Sequence, residues 1–128
     1  MYELRVKVEF PAAHHLEGYP GDCARPHGHN WGIEVFARSR KLDSIGLAID
    51  FRTLKGATKE LVAAWDHQDL NTLKDFQGIN PSAEQIAKLT FDRLSKAVNS
   101  KDPSGSETWI SKVTVWENDR CSASYFAD

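Results

Sequence analysis

Residues 2–14 alternate without a break. Leu4, Val6, Val8, Phe10, Ala12 and His14 share one parity, and Glu3, Arg5, Lys7 and Glu9 share the other. A period of two predicts a strand with one face in a core and one in water. A second run behaves the same way. From His27 to about Arg38, His29, Trp31, Ile33, Val35 and Ala37 share the parity of His27, with Phe36 as an apolar exception on the other side. Between the runs, Gly18, Pro20, Gly21 and Pro26 mark a loop. The two strands are therefore expected to pair antiparallel through that loop. Each apolar face ends in histidine at the loop end, so His14, His27 and His29 should project from the same face. A lone His-x-His is a weak signal. Three converging imidazoles are what a catalytic zinc with an open fourth position requires.

The rest of the chain predicts an α+β protein. Residues 44–49 look like a short third strand. Asp50 is a candidate N-cap for a helix with apolar positions Phe51, Leu54, Leu61, Val62 and Trp65, ending near Trp65. Residues 66–71 form a polar turn. A second helix opens at Asn80-Pro81-Ser82, either with Pro81 in the first helical position or with Ser82 and Gln85 as a capping box. Its stripe is Ile86, Leu89, Leu94 and Ala97, widened by Phe91. Residues 99–107 read as an exposed loop. Trp109, Val113, Val115 and Glu117 share one face of a strand from Thr108 to Trp116, and a short strand from Ser122 to Phe126 follows. The four tryptophans are expected in the core rather than stacked on a ligand. Strands and helices come in runs, which predicts an antiparallel sheet with helices on one face.

At 128 residues the chain is expected to be one domain, residues 1–128. A composition of 41% hydrophobic and 27% charged residues is that of an ordinary globular protein. The formal charge of −2 gives no footing for nucleic acid or an anionic membrane surface. No apolar run approaches the length of a spanning helix. Met1-Tyr2-Glu3-Leu4-Arg5 carries charges where a signal peptide needs its apolar stretch, so a cytoplasmic location is expected. Two cysteines make no disulfide framework, and Cys23 is expected as a reactive thiol or a metal ligand.

Five short motifs then line up in order. They are Phe10-Pro11-Ala12-Ala13-His14-His15-Leu16, Cys23-x-x-x-His27-Gly28-His29, Asp50-Phe51-x-x-Leu54-Lys55, Asp66-His67-x-x-Leu70-Asn71 and Asn80-Pro81-Ser82-x-Glu84. Together they resemble the 6-pyruvoyl-tetrahydropterin synthase / 6-carboxytetrahydropterin synthase family. The cysteine spacing is closer to the bacterial 6-carboxytetrahydropterin synthases of the queuosine pathway.

The resemblance implies the tunnelling fold, a ββααββ unit assembled as a barrel-forming trimer, with two trimers stacked into a homo-hexamer and active sites between subunits. It implies a zinc-dependent lyase acting on 7,8-dihydroneopterin triphosphate. The product is 6-carboxy-5,6,7,8-tetrahydropterin, with acetaldehyde and triphosphate released. The related pyruvoyl reaction, which retains the side chain, and a non-catalytic zinc or pterin-binding oligomer are the alternatives. His14, His27 and His29 match the zinc ligands, Cys23 the catalytic base, and Asp66 with His67 a proton-relaying pair. Glu117 matches the pterin anchor, although Asn118 follows it where the family usually has Thr. Cys23 as a fourth ligand closing a structural Cys-His₃ site remains the alternative for the thiol. Arg25, Arg38, Lys55 and Arg120 are the candidates for holding the triphosphate. His15, of opposite parity to His14, is not expected to ligate. Asp69 and Asn71 are expected to be turn formers.

Overall fold

The structure, a computed structural model, describes residues 1–101 and 107–126, the side chains of 99–101 excepted. The elements run β1 (Tyr2–His14), β2 (His27–Ser39), α1 (Phe51–Val62), α2 (Ala83–Lys101), β3 (Thr108–Trp116) and β4 (Ser122–Phe126). The four strands form one antiparallel sheet in the order β1-β2-β3-β4.

Alternation is what builds the β1–β2 hairpin. Val6 pairs with Val35, Val8 with Ile33, Phe10 with Trp31 and Ala12 with His29. Every one of these apolar side chains is buried, while Glu3, Arg5, Lys7 and Glu9 are exposed on the opposite face. A slip of one residue would reverse both faces, so this pattern fixes the register. Both helices cover the apolar side, α1 against β1 and α2 against β3 and β4. Leu54 and Val62 of α1, and Ile86, Ala87, Leu94 and Val98 of α2, join the strand residues in one core. No helix among the described residues is long and apolar enough to cross a membrane.

Several local expectations are corrected. Residues 44–49 are a turn, not a strand. The Asp43 carboxylate accepts from the N–H groups of Ile45 (3.0 Å) and Leu47 (2.9 Å). Gly46 takes the left-handed φ of 87° that the turn needs. These bonds consume the backbone groups a strand would use in a ladder. In α1, Asp50 caps as expected, accepting from Arg52 N–H at 2.8 Å. The buried stripe, however, is Leu54, Thr58 and Val62; Phe51 is exposed, and Trp65 is buried beyond the helix end. Thr58 enters the core because its hydroxyl donates to the Leu54 carbonyl at 2.8 Å. In α2, Ser82 is the cap, its Oγ accepting from Gln85 N–H at 3.2 Å, and Pro81 stands outside the helix. Thr90 and Val98 are buried, while Leu89, Phe91 and Ala97 are half-buried. Residues 99–101 belong to the helix, and the remainder of the expected loop up to 106 lies outside the described residues.

In β3 a bulge changes the parity. Phe36 pairs with Lys112 but Ala37 pairs with Ile110, leaving Ser111 as the extra residue. Ile110 therefore points into the core in place of Trp109, whose ring lies 4.9 Å from the Arg40 guanidinium. Only Trp31 and Trp65 of the four tryptophans are fully buried. Trp116 lies on the charged face, where its indole donates to Glu34. The bulge precedes Val113, so Val113, Val115 and Glu117 keep the inward parity expected of them.

Candidate metal centre

The antiparallel register sets His14 directly opposite His27, and Ala12 opposite His29. The three rings meet edge to face, with centroids 4.5, 5.2 and 4.8 Å apart. Trp31, with no exposed surface, lies under His14 and His29 at 4.8 and 5.3 Å. Its indole donates to the Ala12 carbonyl at 3.2 Å, which locks this floor to β1.

Two of the rings have their tautomers set by backbone. His14 Nδ1 lies 2.8 Å from the Pro81 carbonyl and His27 Nδ1 lies 2.7 Å from the Arg25 carbonyl. A carbonyl only accepts, so both Nδ1 atoms carry the proton and each neutral ring keeps its lone pair on Nε2. This is the outer-shell arrangement of a metal-binding histidine.

Glu117 closes the group. Its Oε1 lies 3.3 Å from His14 Nε2 and 3.2 Å from His29 Nε2. Both of those Nε2 atoms are buried without a hydrogen bond. Burial pushes the His14 and His29 pKa values down, against a Pro81 hydrogen bond that raises the first and the Glu117 charge that raises both. The neutral His14 ring, its proton held on Nδ1 by the Pro81 carbonyl, turns the Nε2 lone pair toward the Glu117 carboxylate with nothing positive between them. One donor atom from each of His14, His27, His29 and Glu117 falls within 4.8 Å of the others. The arrangement fits a cation, and its nitrogen-rich donor set suits a transition metal better than magnesium or calcium.

The other expected site residues contribute no donor atom to this group. Cys23 is half-buried in a 3-10 turn, Asp22–Ala24, and its sulfur does not join the four donors. The closed Cys-His₃ site is therefore not the arrangement found. Asp66 and His67 do form a pair, with Nδ1 and Oδ1 2.8 Å apart and both side chains well exposed. His67 has a φ of 59°, held by its N–H donating to the Pro11 carbonyl at 2.7 Å. Ala13 N–H donates to the Gln68 carbonyl at 2.9 Å, so this segment laps the free edge of β1. His67 and His29 line one cleft of about 510 Å³ with Pro11, Gly28 and Asp69. Asp66 lines a neighbouring groove with Lys7, Lys55 and Lys59. Of the four candidate phosphate-binding residues only Lys55 stands in that groove; Arg38 is paired with Glu3 at 3.0 Å.

Sequence reasoning missed the supports. Pro81 contributes its carbonyl, which no side-chain pattern reveals. Asn118, the departure from the family pattern, organises the turn after Glu117, its Oδ1 accepting from Arg120 N–H at 2.8 Å and Cys121 N–H at 3.0 Å.

Known proteins give the fold and the family. A solved structure of 6-pyruvoyl tetrahydropterin synthase from Caenorhabditis elegans superposes with a TM-score of 0.82 at 23% identity, over 99% of this chain and 96% of that one. One from Plasmodium vivax gives 0.78 at 19% identity, over 99% and 98%. Among curated relatives, the 6-carboxy-5,6,7,8-tetrahydropterin synthase of Synechocystis is 33% identical over 102 residues, covering 76% of this chain and 78% of that protein. The protein of the same name from Bacillus subtilis is 30% identical over 98 residues, covering 73% and 65%. The model of the family described as 6-pyruvoyl tetrahydropterin synthase matches residues 3–128, essentially the whole fold built above, and the chain belongs to that family.

Proposed function

We propose that the protein is a zinc-dependent lyase. With one water, it converts 7,8-dihydroneopterin triphosphate to 6-carboxy-5,6,7,8-tetrahydropterin, acetaldehyde and triphosphate. The observation that carries this reading is the cluster of His14, His27, His29 and Glu117, with two buried imidazole nitrogens lacking any hydrogen bond. The curated relatives named as 6-carboxytetrahydropterin synthases supply the choice of reaction.

His14, His27 and His29 would hold Zn²⁺ through Nε2. When bound, the ion supplies Lewis acidity to the side-chain oxygens of the substrate and makes the adjacent C–H more acidic. Glu117 anchors the pterin by accepting from its 2-amino group and N3–H, a two-pronged geometry like that with guanidinium. Cys23 takes the proton from the side-chain carbon. Asp66 accepts from His67 Nδ1–H, which orients the ring and stabilises its charged form while it relays protons with Cys23.

Within one chain the Asp66–His67 pair lies exposed at the β1 edge. Both β1 and β4 are edge strands, and joining them head to tail between copies closes a ring and removes both edges. A barrel-forming trimer, paired into a hexamer, lets one subunit supply the pair to another subunit's histidines and thiol. The expected setting is the cytoplasm, with no nucleic-acid or membrane partner.

The test is to incubate the zinc-loaded protein with 7,8-dihydroneopterin triphosphate and identify products by mass. Release of acetaldehyde supports the reading. Retention of every side-chain carbon with loss of triphosphate selects the pyruvoyl reaction instead, and no conversion rejects both.

A further inference from the structure

The segment that follows His14 is held in a way the metal centre does not require. His15 N–H donates to Asn71 Oδ1 at 2.9 Å, and Asn71 Nδ2 donates back to the His15 carbonyl at 3.0 Å. Two residues on, the same pattern repeats: Glu17 N–H donates to Asn80 Oδ1 at 2.9 Å, and Asn80 Nδ2 donates to the Glu17 carbonyl at 3.0 Å. A carboxamide has one acceptor and two donors, so each asparagine imitates a paired strand residue. Leu16, between them, faces the other way, and its N–H donates to the Cys23 carbonyl at 2.7 Å. Residues 15–17 thus form a strap with the alternation of a strand, gripped by two side chains on one edge and by the thiol's own backbone on the other.

We infer that Asn71 and Asn80 are positioning residues that fix the Cys23 loop relative to the histidines. The two ends of the grip lead to the centre by short covalent paths. His14 immediately precedes the strap. Pro81, immediately after Asn80, supplies the carbonyl that orients His14 at 2.8 Å. Asn71 is anchored in turn, its N–H bonding Asp69 Oδ1 at 3.1 Å in a 3-10 turn of residues Leu70–Thr72. Without the two carboxamides, residues 15–26 would be a loop rich in glycine and proline, joined to the body mainly at its ends. A thiol on such a loop samples many positions, and a base misplaced by about 1 Å loses most of its advantage. The functional importance of this placement rests on the proposed role of Cys23; the mechanical claim does not.

The experiment uses the full chain carrying Cys121→Ser, so that Cys23 is the only thiol. The rate of its alkylation by iodoacetamide is measured at fixed pH and 25 °C on the zinc-loaded protein. Asn71→Ala and Asn80→Ala each remove two hydrogen bonds and are expected to speed alkylation about ten- to thirtyfold, the factor two such bonds are worth. Asn71→Asp keeps the acceptor but not the donor and should fall between. Asp43→Ala, which loosens the 43–47 turn at the other end of β2, serves as the stability control and should leave the rate unchanged. With substrate, the alanine variants should lose kcat while KM stays close to the parent's. The inference is overturned if whichever asparagine variants fold alkylate at the parent's rate, or if Asp43→Ala speeds alkylation as much as they do. Should the parent turn over no dihydropterin, the proposed reaction fails and the alkylation result still decides the strap.

Discussion

Asp75 is where the helices, the connecting segment and the core are tied together, and its replacement gives a worked stability prediction. Arg93 of α2 reaches it with both terminal nitrogens, at 3.0 and 2.6 Å, and the indole N–H of Trp65 donates to it at 2.9 Å. The two partners differ in environment. The Arg93 side chain is 42% exposed, so solvent screens the ion pair and it contributes about 0.2–1 kcal/mol. Trp65 is fully buried between Phe10 and Phe76, and its N–H has no access to water. Asp75→Asn keeps an acceptor for the indole and loses the charge together with one of the two Arg93 hydrogen bonds, at a cost of about 1 kcal/mol or less because the pair is screened by solvent. Asp75→Ala also strands the buried indole N–H, a further ~1–3 kcal/mol. The alanine variant should therefore lie about 1–4 kcal/mol below the parent, a fall in Tm of roughly 4–16 °C for a chain of this size. Urea denaturation at one fixed protein concentration is the assay, because any assembly makes the midpoint concentration-dependent. Equal destabilisation by the two variants would show that the buried indole bond contributes nothing and would refute the reasoning. The same carboxylate predicts a pH effect. Arg93, aided by Trp65 against the opposing effect of burial, holds its pKa below the ordinary aspartate value. Between the folded and unfolded pKa values the unfolded chain binds more protons, so stability rises with pH there. The contribution is complete above the unfolded value of about 3.9 and is lost as pH falls through the folded one. Asp75→Asn should flatten that part of the acid limb.

Three other perturbations follow from the geometry. His14→Ala should cost at least tenfold in zinc affinity, measured by competition with a chelating dye, because a buried ligand with a fixed tautomer is removed. Glu117→Gln should leave zinc stoichiometry unchanged and raise the KM for the dihydropterin if the carboxylate anchors the ring; a loss of zinc affinity with KM unchanged would make it the fourth ligand instead. Asp43→Ala removes the acceptor of two backbone N–H groups in the 43–47 turn and should lower stability by about 1–2 kcal/mol in urea titrations.

The legible part of this protein was the part that alternates. In β1 and β2 the side-chain period equals the strand period, so face, register and the convergence of His14, His27 and His29 could all be read in advance. The helix cap at Asp50 was legible because capping needs particular side chains at particular offsets, and Ser82 was one of the two starts offered for α2. What escaped was decided by groups a pattern does not display. Ile45 and Leu47 look like strand residues, but Asp43 captures their amides. Ser111 gives no sign in sequence of being the extra residue in a bulge, yet it exchanges Ile110 for Trp109 in the core. Thr58 and Thr90 are polar letters in a buried stripe.

The same distinction divides the candidate site. The three histidines of the candidate metal centre come from regular strands, where one residue fixes the next, and parity alone gathered them; Glu117 follows one residue beyond the end of β3. Cys23, Asp66 and His67 come from connections, where local sequence does not set position and each must be held by contacts made elsewhere. Cys23 is held through its own carbonyl, and His67 by a left-handed backbone whose N–H reaches the Pro11 carbonyl. Bringing the three histidines together requires only residues of one parity at a hairpin's end. Bringing the thiol and the Asp66–His67 pair to bear on one substrate requires the loop supports and, in this reading, a neighbouring subunit. If the proposed assembly and reaction hold, disturbing the subunit contacts should abolish turnover while the three histidines of each chain still bind zinc. A monomeric variant that kept both zinc and activity would show that one chain suffices.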